Sequence, residues 1–379
     1  MSESQTKKYQ IKKYRLILEA YSPIHIWSGE TLDKRFDAVE RNGSVYIIDI
    51  SRLIELAKNM NMINIFDNPR YIQTILSTLN ITDVEGVARY KLSGSLKLSA
   101  LGGSTNVNKI NPMIKLVDYK SYIPGSEVKG SIRTAILYYK CKNNPQILEK
   151  ALHNLSKALH NLSNKSNVKK TAASNLEKEV LRNGKDMHYD LLRSLIISDL
   201  YPSQRDTNLS LGEILLLTPR LRRVILLGEY IDPSTQLYGN TGIRIIPDTY
   251  NVDKNLLVNA CREFSRDIVI HEKTKLNELK SKTQDASISN IYDQLIKFYT
   301  GLEDALNNGS TIIRLGYGEG YFSTTIGLLL YGNKEFSTRY KALFSKLNIK
   351  DPISRKVIVV KGSKIMPLGW ARIELQDKL

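Results

Sequence analysis

Ile123–Ala135, IPGSEVKGSIRTA, is the stretch on which the reading of this chain turns. Pro124-Gly125 makes a turn after a strand, and Ser126 can cap a helix running to Lys140. Gly125 and Gly130 carry no Cβ, so another backbone can come close to either. The first N–H groups of a helix have no partner inside it and attract an anion. Lys129 and Arg133 are four residues apart and share one helical face. Gly125, Ser126, Lys129 and Arg133 together read as a phosphate site of amides, a hydroxyl and two cations. The competing reading is a well-capped helix with a solvated basic stripe, and local chemistry alone does not choose between them.

Charge favours a polyanionic partner. The 379 residues hold 55 Lys and Arg against 38 Asp and Glu, a net charge of +17, with a pI near 9.5. Binding driven by such a surplus weakens steeply with added salt. With 42% hydrophobic and 25% charged residues, the composition is that of a globular protein, and the length favours two packed domains. Cys141 and Cys261 lie too far apart in sequence to suggest a disulfide framework or a zinc site, which fits a reducing cytosol. The N-terminus lacks the apolar core of a signal peptide, and no apolar run approaches the roughly 20 residues that span a bilayer. The expectation is a cytoplasmic protein.

Outward from the opening stretch, strands are expected at Tyr14–Ile26, Ser44–Asp49, Ile114–Val117, Leu195–Ile197, Ile214–Leu217, Val224–Tyr230, Thr311–Tyr317 and Val357–Lys361, followed by the tail Pro367–Leu375. Helices are expected after caps at Ser51 and Asn68, and near Asp253–Leu279, Asn290–Asn307 and Lys334–Leu347. Gly94–Asn111 reads as a long loop. Between about 141 and 186 the chain is polar and rich in Lys and Asn, and ALHNLS at Ala151–Ser156 recurs at Ala158–Ser163, one heptad on. That segment reads as a helical insertion. The irregular mixture of strands and helices fits two α+β layers, each a sheet with helices on one face.

Two further motifs carry chemistry. Ile313–Thr324, IRLGYGEGYFST, places Gly316, Gly318 and Gly320 between Tyr317, Glu319 and Tyr321. Its backbone can lie against a ligand, the tyrosines can stack on bases, and Arg314 adds charge. It lacks the ending of a P-loop and the GxGxxG spacing, and a glycine-kinked hairpin is the alternative. Asp190–Asp199, DLLRSLIISD, sets Arg193 in an apolar run closed by carboxylates; a buried Arg193–Asp pair fits better than a metal site. The histidines at 25, 153, 160, 188 and 271 join no triad or metal spacing. His25 as a general base, and Asp33 or Asp37 activating a 2′-hydroxyl or holding Mg²⁺, are the remaining catalytic options.

Five segments in order, SPIHIWSGE (Ser22–Glu30), YIPGSEVKGSIRTA (Tyr122–Ala135), DLLRSLIISD, RLGYGEGYFSTT (Arg314–Thr325) and PLGW (Pro367–Trp370), resemble the RAMP superfamily of CRISPR-associated proteins. Within it they look most like the Csm-type subunit that caps the crRNA 3′ end in type III-A effector complexes. The resemblance implies two ferredoxin-like domains, 1–210 with the insertion at about 141–186 and 211–379 with the glycine-rich loop at 314–321. It implies crRNA contact through Gly125, Ser126, Lys129, Arg133, Arg314, Gly316, Tyr317, Gly318, Gly320 and Tyr321. It also implies docking on a neighbouring RAMP backbone subunit and other Csm-complex proteins, with no metal or catalytic residue. A role in crRNA maturation and antiviral defence follows, through recruited host ribonucleases. The alternative within the superfamily is a backbone subunit that cleaves target RNA through Asp33 or Asp37 and a metal. Trp27 and Glu127 depart from the usual pattern, which expects a small residue before SGE and a neutral residue at 127.

Overall fold

The computed structural model describes residues 10–60, 69–98, 107–150, 153, 176–182, 186–203, 209–218, 222–245, 251–332, 338 and 354–378. Its centre is the strand Gln10–Ala20, whose Tyr14, Leu16, Leu18 and Ala20 alternate inward. It is paired along both edges. Gln236–Ile245 runs antiparallel on one side, with Glu19 opposite Gln236. Trp370–Asp377 runs antiparallel on the other, with Ala20 opposite Ala371. Thr311–Arg314 extends the sheet beyond 370–377, and Leu195–Ile197 beyond 236–245. The first and last described strands of the chain are therefore neighbours.

Helices Gly125–Lys142, Lys254–Lys280 and Ala286–Asn307 pack on this sheet and on one another. Leu257, Ala260, Cys261, Phe264, Ile268 and Leu276 recur at helical spacing on one buried face. Asp253 and Asp285 cap the two long helices, the first accepting from the Leu256 N–H and the second from the Ser287 and Ile288 N–H groups.

The second sheet runs, in spatial order, through Leu32–Asp33, Lys109–Asn111, Arg222–Ile231, Leu209–Leu217, Ala88–Ser93, Ser44–Ile48 and Ala38–Arg41. Arg355–Val360 also pairs with Leu209–Leu217, sharing with Ala88–Ser93 the edge that faces away from Arg222–Ile231. A small separate core forms where helices Ile50–Asn59, Pro69–Thr78 and Ile81–Val87 cover Val39, Tyr46 and Ile48. Each sheet takes strands from both sides of residue 210, so the division at 1–210 and 211–379 does not separate one sheet from the other.

The α+β class is as expected, and several local expectations change. Asp49, not Ser51, caps the helix at Ile50. The first strand ends at Ala20, and Ser22–Ile26 continues as irregular backbone tied to Trp370 and Ile231. Ile114–Val117 is no strand but part of a hairpin closed by a Lys115–Ser121 bridge. Gln236–Ile245 went unexpected because its alternation is broken by Gly239 and Gly242; a Cβ on Gly239 would stand 2.9 Å from the Asp199 carbonyl oxygen. The ALHNLS repeat, nearly all of the insertion between 151 and 175, and most of the expected helix at 334–347 lie outside the described residues.

Candidate nucleic-acid interface

The five sequence segments meet in one place. Trp370 donates its backbone N–H to Ser22 Oγ at 2.9 Å, and Gly369 donates to the Pro23 carbonyl at 2.9 Å. Tyr317 donates its N–H to the His25 carbonyl at 2.7 Å, and Leu315 to Gly369 at 2.9 Å. Ser131 Oγ donates to the Arg314 carbonyl at 2.8 Å. Gly125 donates its N–H to Asp199 Oδ1 at 2.8 Å. The helix start and the glycine-rich loop, 183 residues apart, are thus adjacent.

The glycines of the loop divide by task. Gly316, Gly318 and Gly320 all have positive φ, where side chains with a Cβ are strained. A Cβ on Gly316 would stand 2.6 Å from the His25 carbonyl oxygen, and one on Gly318 2.7 Å from Leu368 Cδ1. Gly369, at φ 88°, would collide with the Leu315 carbonyl. These three serve close packing within the protein. Gly320 faces open space and is exposed. Tyr317 and Tyr321 are half-buried. Tyr317 has the His25 ring on its edge, with centroids 5.6 Å apart, and the Lys356 ammonium over its ring at 4.0 Å.

Arg314, expected as an open cation, is instead the internal brace of the loop. It is 7% exposed. Its guanidinium donates to the carbonyls of Leu368 (3.0 Å) and Gly318 (3.2 Å) and to Ser323 Oγ (3.3 Å), and it lies over the Trp370 ring at 5.2 Å. PLGW and RLGYGEGY, paired only as motifs in the sequence, are one packed unit.

The helix start also differs from expectation. The cap position falls on Pro124, which makes no side-chain capping bond, and Ser126 is the exposed second helical residue. Val128, Ile132, Ala135 and Ile136 form the buried stripe, which sets Lys129 and Arg133 at its border, against residues 190–199. Lys129 Nζ donates to the Leu195 carbonyl at 2.8 Å, and burial lowers its pKa. Arg133 makes two bonds to Asp190, at 2.8 and 2.9 Å, and one to Glu177 at 2.8 Å. Burial alone would raise the Asp190 pKa; bonds from Arg133 and Arg182 outweigh it and hold the carboxyl below its usual range. The expected Arg193–Asp pair does not form: Arg193 donates to the His188 carbonyl and is exposed. The Asp190 partner is Arg133, a pairing hidden by 57 residues of separation.

The other catalytic options are also engaged. His25 is fully buried; its Nδ1–H donates to the Glu229 carbonyl at 2.6 Å, and Nε2 has no partner. Burial, opposed by that bond and reinforced by the Lys115 charge, lowers its pKa to about 4. Beneath it the enclosed Glu229 carboxylate accepts from Tyr90 Oη (2.8 Å), Met113 N–H (2.8 Å) and the Lys115 ammonium. Asp33 accepts two bonds from the Arg35 guanidinium, which lower its pKa, and Asp37 accepts the Asp33 N–H at 2.7 Å. Among the described residues no group of three or more His, Cys, Asp or Glu could hold a metal, and no helix is long and apolar enough to cross a membrane. Sequence reasoning placed Glu319 and Asp199 in their motifs without giving either a role in this locus, and it missed Lys356 altogether; the carboxylate closing DLLRSLIISD was the one signal available for Asp199.

A packed junction of these segments at the edge of an α+β sheet defines a class. The chain belongs to the RAMP superfamily, whose profile matches residues 17–323. It is similar over 95% of its length, at 25% identity, to the CRISPR system Cms protein Csm5 of Methanocaldococcus jannaschii, covering 88% of that protein. Its fold is similar to a chain in the cryo-EM structure of a Csm-crRNA-target RNA ternary complex of a type III-A CRISPR-Cas system: TM-score 0.65, 20% identity, 95% of this chain and 100% of that one. The crystal structure of T. onnurineus Csm5 is also similar, with TM-score 0.62 and 22% identity over 94% of this chain and 99% of that one.

Proposed function

We propose that this chain is a non-catalytic, crRNA-binding subunit of a type III-A CRISPR (Csm) effector complex and holds the 3′ end of the guide. The observation that carries the reading is the convergence of all five family segments on one locus, in a basic chain whose similarity to a Csm5 protein spans nearly its whole length. RNA contact is assigned to the surface joining Ser126 and Gly130 to Tyr317, Gly320 and Tyr321. Gly125, Lys129, Arg133, Gly316, Gly318 and Arg314 support that surface from within. His25 is enclosed, Asp33 is held by Arg35 and Asp37 accepts the Asp33 N–H, so no observation favours the reading in which one of them cuts RNA.

Docking on a RAMP backbone subunit, delivery to crRNA maturation with host ribonucleases, and a cytoplasmic site belong to the same proposal. Affinity purification of the tagged full chain, with mass spectrometry and RNA sequencing, tests it. Csm subunits and crRNA should co-purify. Recovery of neither, together with no binding of a crRNA 3′ segment at low salt, overturns it.

A further inference from the structure

A cavity of about 280 Å³ opens between the glycine-rich loop and the strand Arg355–Val360. Its wall includes Gly318, Glu319, Gly320, Tyr321, Ser354 and Lys356. The side chains in it differ in how far they are committed. Arg355 holds Glu272 through two bonds, at 3.0 and 3.2 Å, and Arg314 is spent on the loop. Lys356 makes no ion pair among the described residues and only covers the Tyr317 ring. Glu319 makes no ion pair among the described residues either; the Gly316 N–H faces its carboxyl. In a second cavity, at the fork of the second sheet, Glu40 already accepts from Ser95 Oγ and the Leu96 N–H.

A crowded carboxyl without a cation partner is costly as an anion and stays protonated. Burial is the main cause of a Glu319 pKa raised to about 8; Arg314 and the Gly316 N–H oppose it, and Glu127 on the neighbouring helix adds to it. Arg355, Lys356 and Glu272 complete the charged groups lining the cavity. At neutral pH its balance is then positive, from Arg314, Arg355 and Lys356 against Glu272. A neutral acid can both donate and accept a hydrogen bond without repelling phosphate. Such a group suits a hydroxyl that lies beside a phosphate.

Building on the RNA-binding reading, we infer that this cavity takes one ribonucleotide of the bound strand: the Glu319 carboxyl bonds the ribose 2′-hydroxyl and Lys356 holds the adjoining phosphate. Acidic side chains also hydrogen-bond ribose hydroxyls in dinucleotide folds, there as acceptors, and the 2′-hydroxyl is what separates RNA from DNA at a site. The contact reads sugar and backbone and is indifferent to base. It gives the surface a preference for RNA that positive charge alone does not.

The test measures affinity of the full chain at pH 7 and fixed salt for a crRNA 3′ segment and a set carrying one 2′-deoxy substitution at each position in turn. One position should cost roughly tenfold, the worth of one hydrogen bond to a crowded partner. In Glu319→Ala that position should become neutral, while Glu319→Gln, which keeps a donor and an acceptor, should retain most of the effect. Lys356→Ala should weaken substituted and unsubstituted RNA equally and flatten the salt slope by about one ion. No sensitive position, or one that stays sensitive in Glu319→Ala, overturns the inference and leaves the RNA-binding reading standing. Failure to bind any of the RNAs overturns that reading as well.

Discussion

The start of the Gly125–Lys142 helix and the glycine-rich loop look alike in sequence, both mixing glycine with cations, and they are used differently. At the helix start both cations turn inward. Lys129 closes on the Leu195 carbonyl and Arg133 on Asp190 and Glu177. At the loop the cation of the motif, Arg314, is buried as a brace, and the open charge comes from Lys356 on another strand. A basic residue in a motif is therefore not yet a basic surface. The neighbours that satisfy it are set by tertiary pairing.

The largest effect should come from attacking the brace. Arg314→Leu leaves the Leu368 and Gly318 carbonyls and Ser323 Oγ without their donor. We expect a loss of about 3 kcal/mol in urea unfolding, the sum of several buried bonds. A loss below about 1 kcal/mol would mean that Arg314 is an open contact after all, and the contrast between the two regions would break.

Acid should distinguish the regions next. His25 supports the loop through its carbonyl, and burial holds its folded pKa near 4 against an unfolded 6.5. Its contribution is present above pH 6.5 and is lost as pH falls toward 4, because only the unfolded chain takes up the proton. The shift corresponds to about 3 kcal/mol. Hydrogen exchange at 314–321 should quicken across that window while residues 125–133 stay protected, and His25→Gln should flatten the dependence. Equal loosening of both regions would show that they open as one unit.

The smallest effect concerns charge. Arg133→Gln should cost about 2 kcal/mol of stability by stripping Asp190 of its main partner, yet leave the salt slope of RNA binding within about half an ion of the parent. A drop of a full ion would return Arg133 to the RNA surface.

Much of this was legible in the sequence. The strands expected at Ile214–Leu217 and Val224–Tyr230 and the helices expected near Asp253–Leu279 and Asn290–Asn307 all form, within the longer elements Leu209–Leu217, Arg222–Ile231, Lys254–Lys280 and Ala286–Asn307. Gln236–Ile245 was not legible, because Gly239 answers to a close approach by Asp199 and Gly242 to Ile11, neither of which a local pattern encodes. The loop was readable as glycine-rich, but not that Gly316 serves His25 while Gly320 stays open. Glu319 was legible as a member of the loop but not its role, and Lys356 carried no local signal, since their setting is a cavity between the loop and a separate strand.

The sequence by itself determined the α+β class and the basic surplus, which rest on short-range pattern and composition, and its five segments carried the resemblance to the RAMP superfamily. Only the tertiary structure decided which cations are spent and which carboxyl is left unpaired. Burial and pairing depend on what lies across the sheet: Asp190 stands 57 residues from Arg133, and the Arg314 carbonyl 183 residues from Ser131. No period of a helix or strand reaches that far.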